Sequence, residues 1–142
     1  MSKRILVVEG QKDNRQIIRD TLAGSDYQIT EAEDGEQALA AVAKQRPDLI
    51  LMGIQLPIMD GYEVARRIKA DPAFRSIPII AVTDHDTKTQ RQMHKKWSAS
   101  LKATRPRPRS IARSMIWVSR SARLIKRKTI RMLRHYPSRL PN

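Results

Sequence analysis

The sequence predicts an α/β protein built on a doubly wound parallel sheet. Three observations carry that prediction. Four short strand-like runs recur along the first part of the chain: Arg4 to Val8, Tyr27 to Ala32, Leu49 to Met52 and Ile77 to Val82. Two of them, Ile5-Leu6-Val7-Val8 and Leu49-Ile50-Leu51-Met52, are continuous apolar runs, as strands buried on both faces require. Between the runs lie segments whose apolar residues recur at helical spacing. The resulting order βαβαβαβ favours parallel strands with crossover helices.

Each element has a local reason. Arg4-Ile5-Leu6-Val7-Val8 is rich in β-branched residues, and Glu9-Gly10-Gln11 turns the chain. Asp13 is the expected N-cap of a helix with Ile17, Ile18 and Leu22 along its inner stripe, and Gly24 stops it. Asp34-Gly35 turns into a second helix, from Glu36 to Gln45, with Ala38, Leu39, Ala41 and Val42 inward. Arg46-Pro47-Asp48 breaks it before the third strand. After Gly53 comes a loop containing Pro57; Asp60-Gly61 then opens a helix to Ala70, with Val64, Ala65 and Ile68 on one face. Asp71-Pro72 ends that helix.

Charge divides the chain into two parts. Residues 1–86 hold all fourteen acids beside eleven Lys/Arg, a net charge of −3; residues 87–142 hold seventeen Lys/Arg and no acid, a net charge of +17. The expected organisation is therefore a βαβαβαβ core over 1–86 and a basic tail over 87–142. In the tail, Thr87 to Ala103 has weak helical spacing, and Arg105-Pro106-Arg107-Pro108-Arg109 reads as an extended linker. Ser114 to Val118 has strand character, and Ser121 to Tyr136 reads as a basic amphipathic helix with Ile125, Ile130, Leu133 and Tyr136 on one side. Three readings of the tail stay open: a divergent fifth strand and last helix, nucleic-acid binding through 88–139, or the unselected product of a decayed or frame-shifted gene. Without a fifth strand, Ile79, Ile80 and Val82 would lose cover and folding would be marginal.

Composition excludes several classes. Cysteine is absent, so there are no disulfides and no thiolate metal sites. No apolar run is long enough for a membrane span, and the polar pattern from Glu9 argues against a signal peptide, so a cytoplasmic protein with no membrane partner is expected. No Gly-rich phosphate loop, Ser-His-Asp set or HExxH occurs, and no nucleophile pairs with a base, so no enzyme is expected. His85, His94 and His135 lack the spacing and companions of a metal site. In an open α/β sheet the chemistry sits at the carboxyl ends of the strands. Position 53 is such an end, and it is a glycine.

Residues 3–83 closely resemble the receiver domain of bacterial two-component response regulators, especially stand-alone single-domain receivers. The resemblance is carried by RILVVE at 4–9, Asp13-Asn14, DLILMGIQLPIMDGYEVARRIK at 48–69 and IPIIAVT at 77–83. It implies a five-stranded sandwich of flavodoxin-like topology. It also implies a histidine kinase or phosphorelay protein as partner, an aspartate that accepts a phosphoryl group with Mg²⁺ bound, and a Thr/Ser and aromatic switch. Such a site needs a carboxylate nucleophile after the third strand, acids after the first to hold the cation, and a hydroxyl and a lysine to hold the phosphoryl group. Here Gly53 stands where the family has the phosphoacceptor, and Glu9-Gly10 where it has two acids. Gln55 would still offer a backbone carbonyl to a metal, and Thr83 matches the switch hydroxyl. After Asp84 the family's Ala-Gly turn and its Lys-Pro are not found; Arg120 lies near where that lysine would fall if 114–118 were the fifth strand. The expectation is a degenerate receiver that binds no Mg²⁺ at this site and accepts no phosphoryl group at position 53. Asp60, the nearest other carboxylate, is not expected to replace the nucleophile.

Overall fold

The computed structural model describes residues 3–24, 26–53, 56–83, 92, 95, 115–119 and 122–135. These form five strands and four helices: β1 (Arg4–Val8), α1 (Lys12–Leu22), β2 (Gln28–Ala32), α2 (Gly35–Lys44), β3 (Leu49–Gly53), α3 (Gly61–Ala70), β4 (Ile79–Thr83), β5 (Met115–Ser119) and α4 (Ala122–His135). All strand pairs are parallel, in the order β2-β1-β3-β4-β5. The chain thus folds as the expected doubly wound sheet.

The continuous apolar runs are explained by how they divide between two layers. Leu6, Val8, Ile50, Met52, Ile79 and Ala81 pack with Ala38 and Val42 of α2 and with Val64, Ala65 and Ile68 of α3. Their neighbours Ile5, Val7, Leu49, Leu51, Ile80 and Val82 pack on the other face with Ile18 and Leu22 of α1 and Ile125 of α4. Alternate residues of one strand feed opposite cores, so every position is apolar. Each fully buried Ile or Leu contributes about 1.5–3 kcal/mol. β2 is an edge strand and looks different: its pattern QITEA is half exposed and carries a charge, which discourages pairing with another chain.

The element boundaries differ from the sequence reading in ways that have causes. Helix α1 begins at Lys12 with Gln11 as N-cap, and the cap side chain makes no hydrogen bond. Asp13 therefore lies inside the first turn, where its charge favours the helix dipole, and is not the cap. Ile17 is 45% exposed, and the buried stripe is Asn14, Arg15, Ile18 and Leu22. Spacings of four and seven back from Leu22 reach Ile18 and Arg15 but miss Ile17. Gly24, with φ of +80°, takes the left-handed turn that follows α1. Asp34 and Asp60 cap α2 and α3 by accepting from the Gln37 and Glu63 backbone N–H groups at 2.8 and 2.9 Å, so α2 starts at Gly35 and ends at Lys44. β2 starts one residue after Tyr27, and β4 starts at Ile79: the Ile77 N–H still donates back to the Phe74 carbonyl, and Pro78, whose carbonyl accepts from the Ile50 N–H at 3.1 Å, has no N–H of its own to give the ladder.

The basic part of the chain supplies β5 and α4. β5 pairs with β4 from Ile79↔Met115 to Thr83↔Ser119, one residue later than the 114–118 reading. Ile80 and Val82 are 0% and 3% exposed, so the covered sheet holds them. Helix α4 packs on α1 and the sheet through Ile125; Thr129 is also fully buried, and its hydroxyl has no hydrogen-bond partner among the described residues. Ile130, expected inside, is half-buried. The readings of 87–103 and 105–109 fall largely outside the described residues; Gln92 and Lys95, which are described, are helical and exposed. No helix of the described residues is long and apolar enough to cross a membrane.

Candidate functional site

The carboxyl ends of β1, β3 and β4 bring Glu9, Gly10, Gly53 and Thr83 to one end of the sheet. Register fixes this. Val8 pairs with Met52 and Gly53 pairs with Val82, so the residues that follow these pairs share one rim. Gly53 is the last residue of β3 and is buried. Thr83 ends β4 and pairs with Ser119 of β5. Gln55 and Arg120 lie outside the described residues.

Glu9 is the group that shapes the rim. It is 5% exposed although it carries a carboxylate. Its backbone N–H donates to Ala32 O at 3.1 Å, which ties it to β2. Its Oε1 accepts from the Gln11 N–H at 3.3 Å. Its other oxygen leans towards β3. A Cβ placed on Gly53 would meet Glu9 Oε2 at 2.9 Å and the Val8 carbonyl at 3.0 Å. The space next to Gly53 where a side chain would start is therefore filled by the Glu9 carboxylate.

Arg15, on the first turn of α1, holds the rim from below and is nearly buried. Its guanidinium donates to the Glu9 carbonyl at 2.8 Å and reaches Glu33 Oε1 at 3.3 Å. Beside it Asn14 donates to Gln11 Oε1 at 2.9 Å. Sequence reading passed over Arg15 as a positioning group. The signal was there in its spacing: it lies seven residues before Leu22, on the face that Ile18 buries. Asp60 is exposed and its carboxylate is engaged as the α3 cap, away from the nucleophile role. It also faces Tyr62. Burial, with the Asp60 charge second, pushes the Tyr62 phenol up to about 12.

In the loop between Gly53 and α3, Ile58 takes φ of +68° and is 91% exposed. A β-branched residue in the left-handed region is strained by about 1–3 kcal/mol. Among the described residues no group of three or more His, Cys, Asp or Glu is placed to hold a metal ion. Gly10 and Gly53 contribute no side-chain donor, and Glu9 contributes one carboxylate.

Residues 5–102 match the response regulator receiver domain family. This chain belongs to that family. The receiver is 38% identical over 106 residues to response regulator PleD of Caulobacter vibrioides; the match covers 75% of this chain and 23% of PleD, so the chain spans under a quarter of that relative's length. It is 42% identical over 83 residues to the polar-differentiation response regulator DivK of Brucella anthropi, covering 58% of this chain and 68% of DivK. The chemotaxis response regulator CheY4 of Vibrio cholerae has the same fold, with a TM-score of 0.73 over 94% of this chain and all of CheY4, at 23% identity. The receiver thus belongs to two-component signalling, where domains of this kind interact with histidine kinases or phosphorelay proteins.

Proposed function

We propose that this receiver takes part in two-component signalling as a docking module that does not accept a phosphoryl group at position 53. The observation that carries the reading is Gly53 at the end of β3, with the Glu9 carboxylate filling the space beside it. A glycine has no oxygen to form an acyl phosphate. An incoming phosphoryl group would also meet the negative charge of Glu9 with no paired acid to share a cation.

The reading extends to the metal. Mg²⁺ demands near-octahedral oxygen ligands, dehydrates reluctantly, and is usually held by carboxylates together with phosphate. One carboxylate beside two glycines is a poor fit for it. The partner is a histidine kinase or phosphorelay protein, and the surface offered is the outer face of α1. Ile17 supports that choice as an exposed apolar residue on this face. The receiver's own contribution is binding without chemistry.

The test is phosphorylation by acetyl phosphate with Mg²⁺, read on a phosphate-affinity gel and by base lability. The natural chain is expected to stay unmodified. The Gly10→Asp/Gly53→Asp variant restores the paired acids and is expected to gain an acid-stable, base-labile phosphoryl group. Modification of the natural chain would sink the reading.

A further inference from the structure

Helix α4 carries a surface unlike those of the other three helices. Its fourteen residues contain six Lys or Arg and no acid. Lys126, Arg127, Arg131 and Arg134 are exposed. At about 100° per residue these four fall within an arc of roughly 140°. Ile125 and Thr129 lie on the opposite side and are fully buried. Helix α3 shows the usual arrangement of a solvated face, in which Glu63 pairs with both Arg66 and Arg67. Helix α4 has no acid to play that part.

We propose that the exposed face of α4 binds the phosphate backbone of duplex nucleic acid without preference for base sequence. Two anionic surfaces attract a basic helix, nucleic acid and an acidic membrane, and packing separates them. A helix that lies in a membrane interface must bury its apolar face in lipid. Ile125 of α4 packs with Ile18 and Leu22 of α1 and with the sheet, so the side that carries it is closed to lipid. Lys126, Arg127 and Arg134 face outward. That suits a polyanion held by charge alone, through contacts that position a protein but carry no sequence information.

The dimensions agree. Lys126 and Arg134 are about 12 Å apart along the helix axis. A duplex carries one negative charge per about 1.7 Å of its axis, so Lys126, Arg127 and Arg134 meet phosphates together. The charge division of the chain orients the encounter: residues 1–86 carry −3 and residues 87–142 carry +17, so a duplex is drawn to the α4 side.

The experiment uses the full chain and a fluorescein-labelled mixed-sequence duplex of about 20 base pairs, with anisotropy read between 50 and 200 mM NaCl. The natural chain is expected to bind with log K falling by about 0.9 per phosphate contacted for each tenfold rise in salt. The Lys126→Gln/Arg127→Gln/Arg134→Gln variant is expected to bind about tenfold or more weakly at 100 mM salt, with a slope flatter by about 2–3. All three positions are exposed, and circular dichroism melting checks that the variant folds. If the triple variant does not, Arg134→Gln alone is expected to flatten the slope by about one. The proposal is overturned by a natural chain that does not bind at 50 mM salt, by folded variants that bind as the natural chain does, or by tighter binding to phosphatidylserine vesicles than to the duplex.

Discussion

Lys69 shows how a single residue of this receiver carries a cost that conditions can reveal. It lies on α3 and is only 4% exposed. Its amine donates to the carbonyls of Arg75, at 3.0 Å, and of Ile77. Burial pulls the ammonium down to about 7. Between pH 7 and the unfolded value of 10.5, the unfolded chain holds this proton and the folded chain does not. Stability therefore rises with pH across that window, by at most about 1.4 kcal/mol per unit, and is lost again as pH falls towards 7. A neutral amine keeps two N–H donors, one for each carbonyl. Urea unfolding at pH 7.5, 8.5 and 9.5 should give rising midpoints, and Lys69→Met should remove the rise. A natural chain with a flat profile would refute this account. The residues that escaped sequence reading are of this kind. Lys69 and Arg15 look like surface residues by type, and only a neighbouring carbonyl, supplied by the fold, makes their burial tolerable. The Glu9 carboxylate beside Gly53 was hidden for a similar reason, since it depends on a side chain crossing between strands 44 positions apart. The glycines at 10 and 53, by contrast, were legible at once, because a missing functional group needs no geometry to be seen.

Among the elements, α2 and α3 pack tightly at Gly35. A Cβ there would lie 2.7 Å from Val64 Cγ2, 3.1 Å from Met59 Sδ and 3.2 Å from Met59 Cβ. Val64 is fully buried, so it has little room to give. Alanine is favoured over glycine in a helix by up to about 1 kcal/mol. Overpacking opposes it with about 1–3 kcal/mol. The second effect should win, and Gly35→Ala should lower the urea midpoint without changing the slope of the transition. A raised midpoint would mean that α3 shifts freely against α2. Element types were readable from the sequence because apolar spacing states them directly, as in the run at 49–52 and the stripe of Val64, Ala65 and Ile68. Boundaries were less so. Both Asp13 and Asp34 have the chemistry of a cap, and only Asp34 makes the cap hydrogen bond. The division of each strand between two cores was invisible, since a run apolar at every position has no period to read.

At the scale of the whole receiver, the last strand decides whether the sheet is closed at one side. β4 is covered by β5 along its full length, and α4 lies over the same layer as α1. A chain ending at residue 86 would lose both elements and leave Ile80 and Val82 against water. Far-UV circular dichroism should show a cooperative thermal melt for the full chain and none for 1–86, with the shorter chain aggregating on heating. A cooperative melt of the shorter chain would show that the first four strands are self-sufficient. The fifth strand was legible in outline, one residue out of place, because Met115 to Ser119 has strand composition. Its place beside β4 was one of three open readings, since the pairing lies beyond thirty-one intervening residues that no local pattern spans.

That separation has a consequence in time. A ribosome makes about 5–20 residues per second. The end of β5 lies thirty-six residues after the end of β4, so β4 waits a few seconds during synthesis with an open apolar edge. For that interval the nascent chain is a substrate for chaperones or for its own neighbours on a polysome. Yield in the cell then depends on translation speed through residues 84–119 as well as on the stability of the finished sheet.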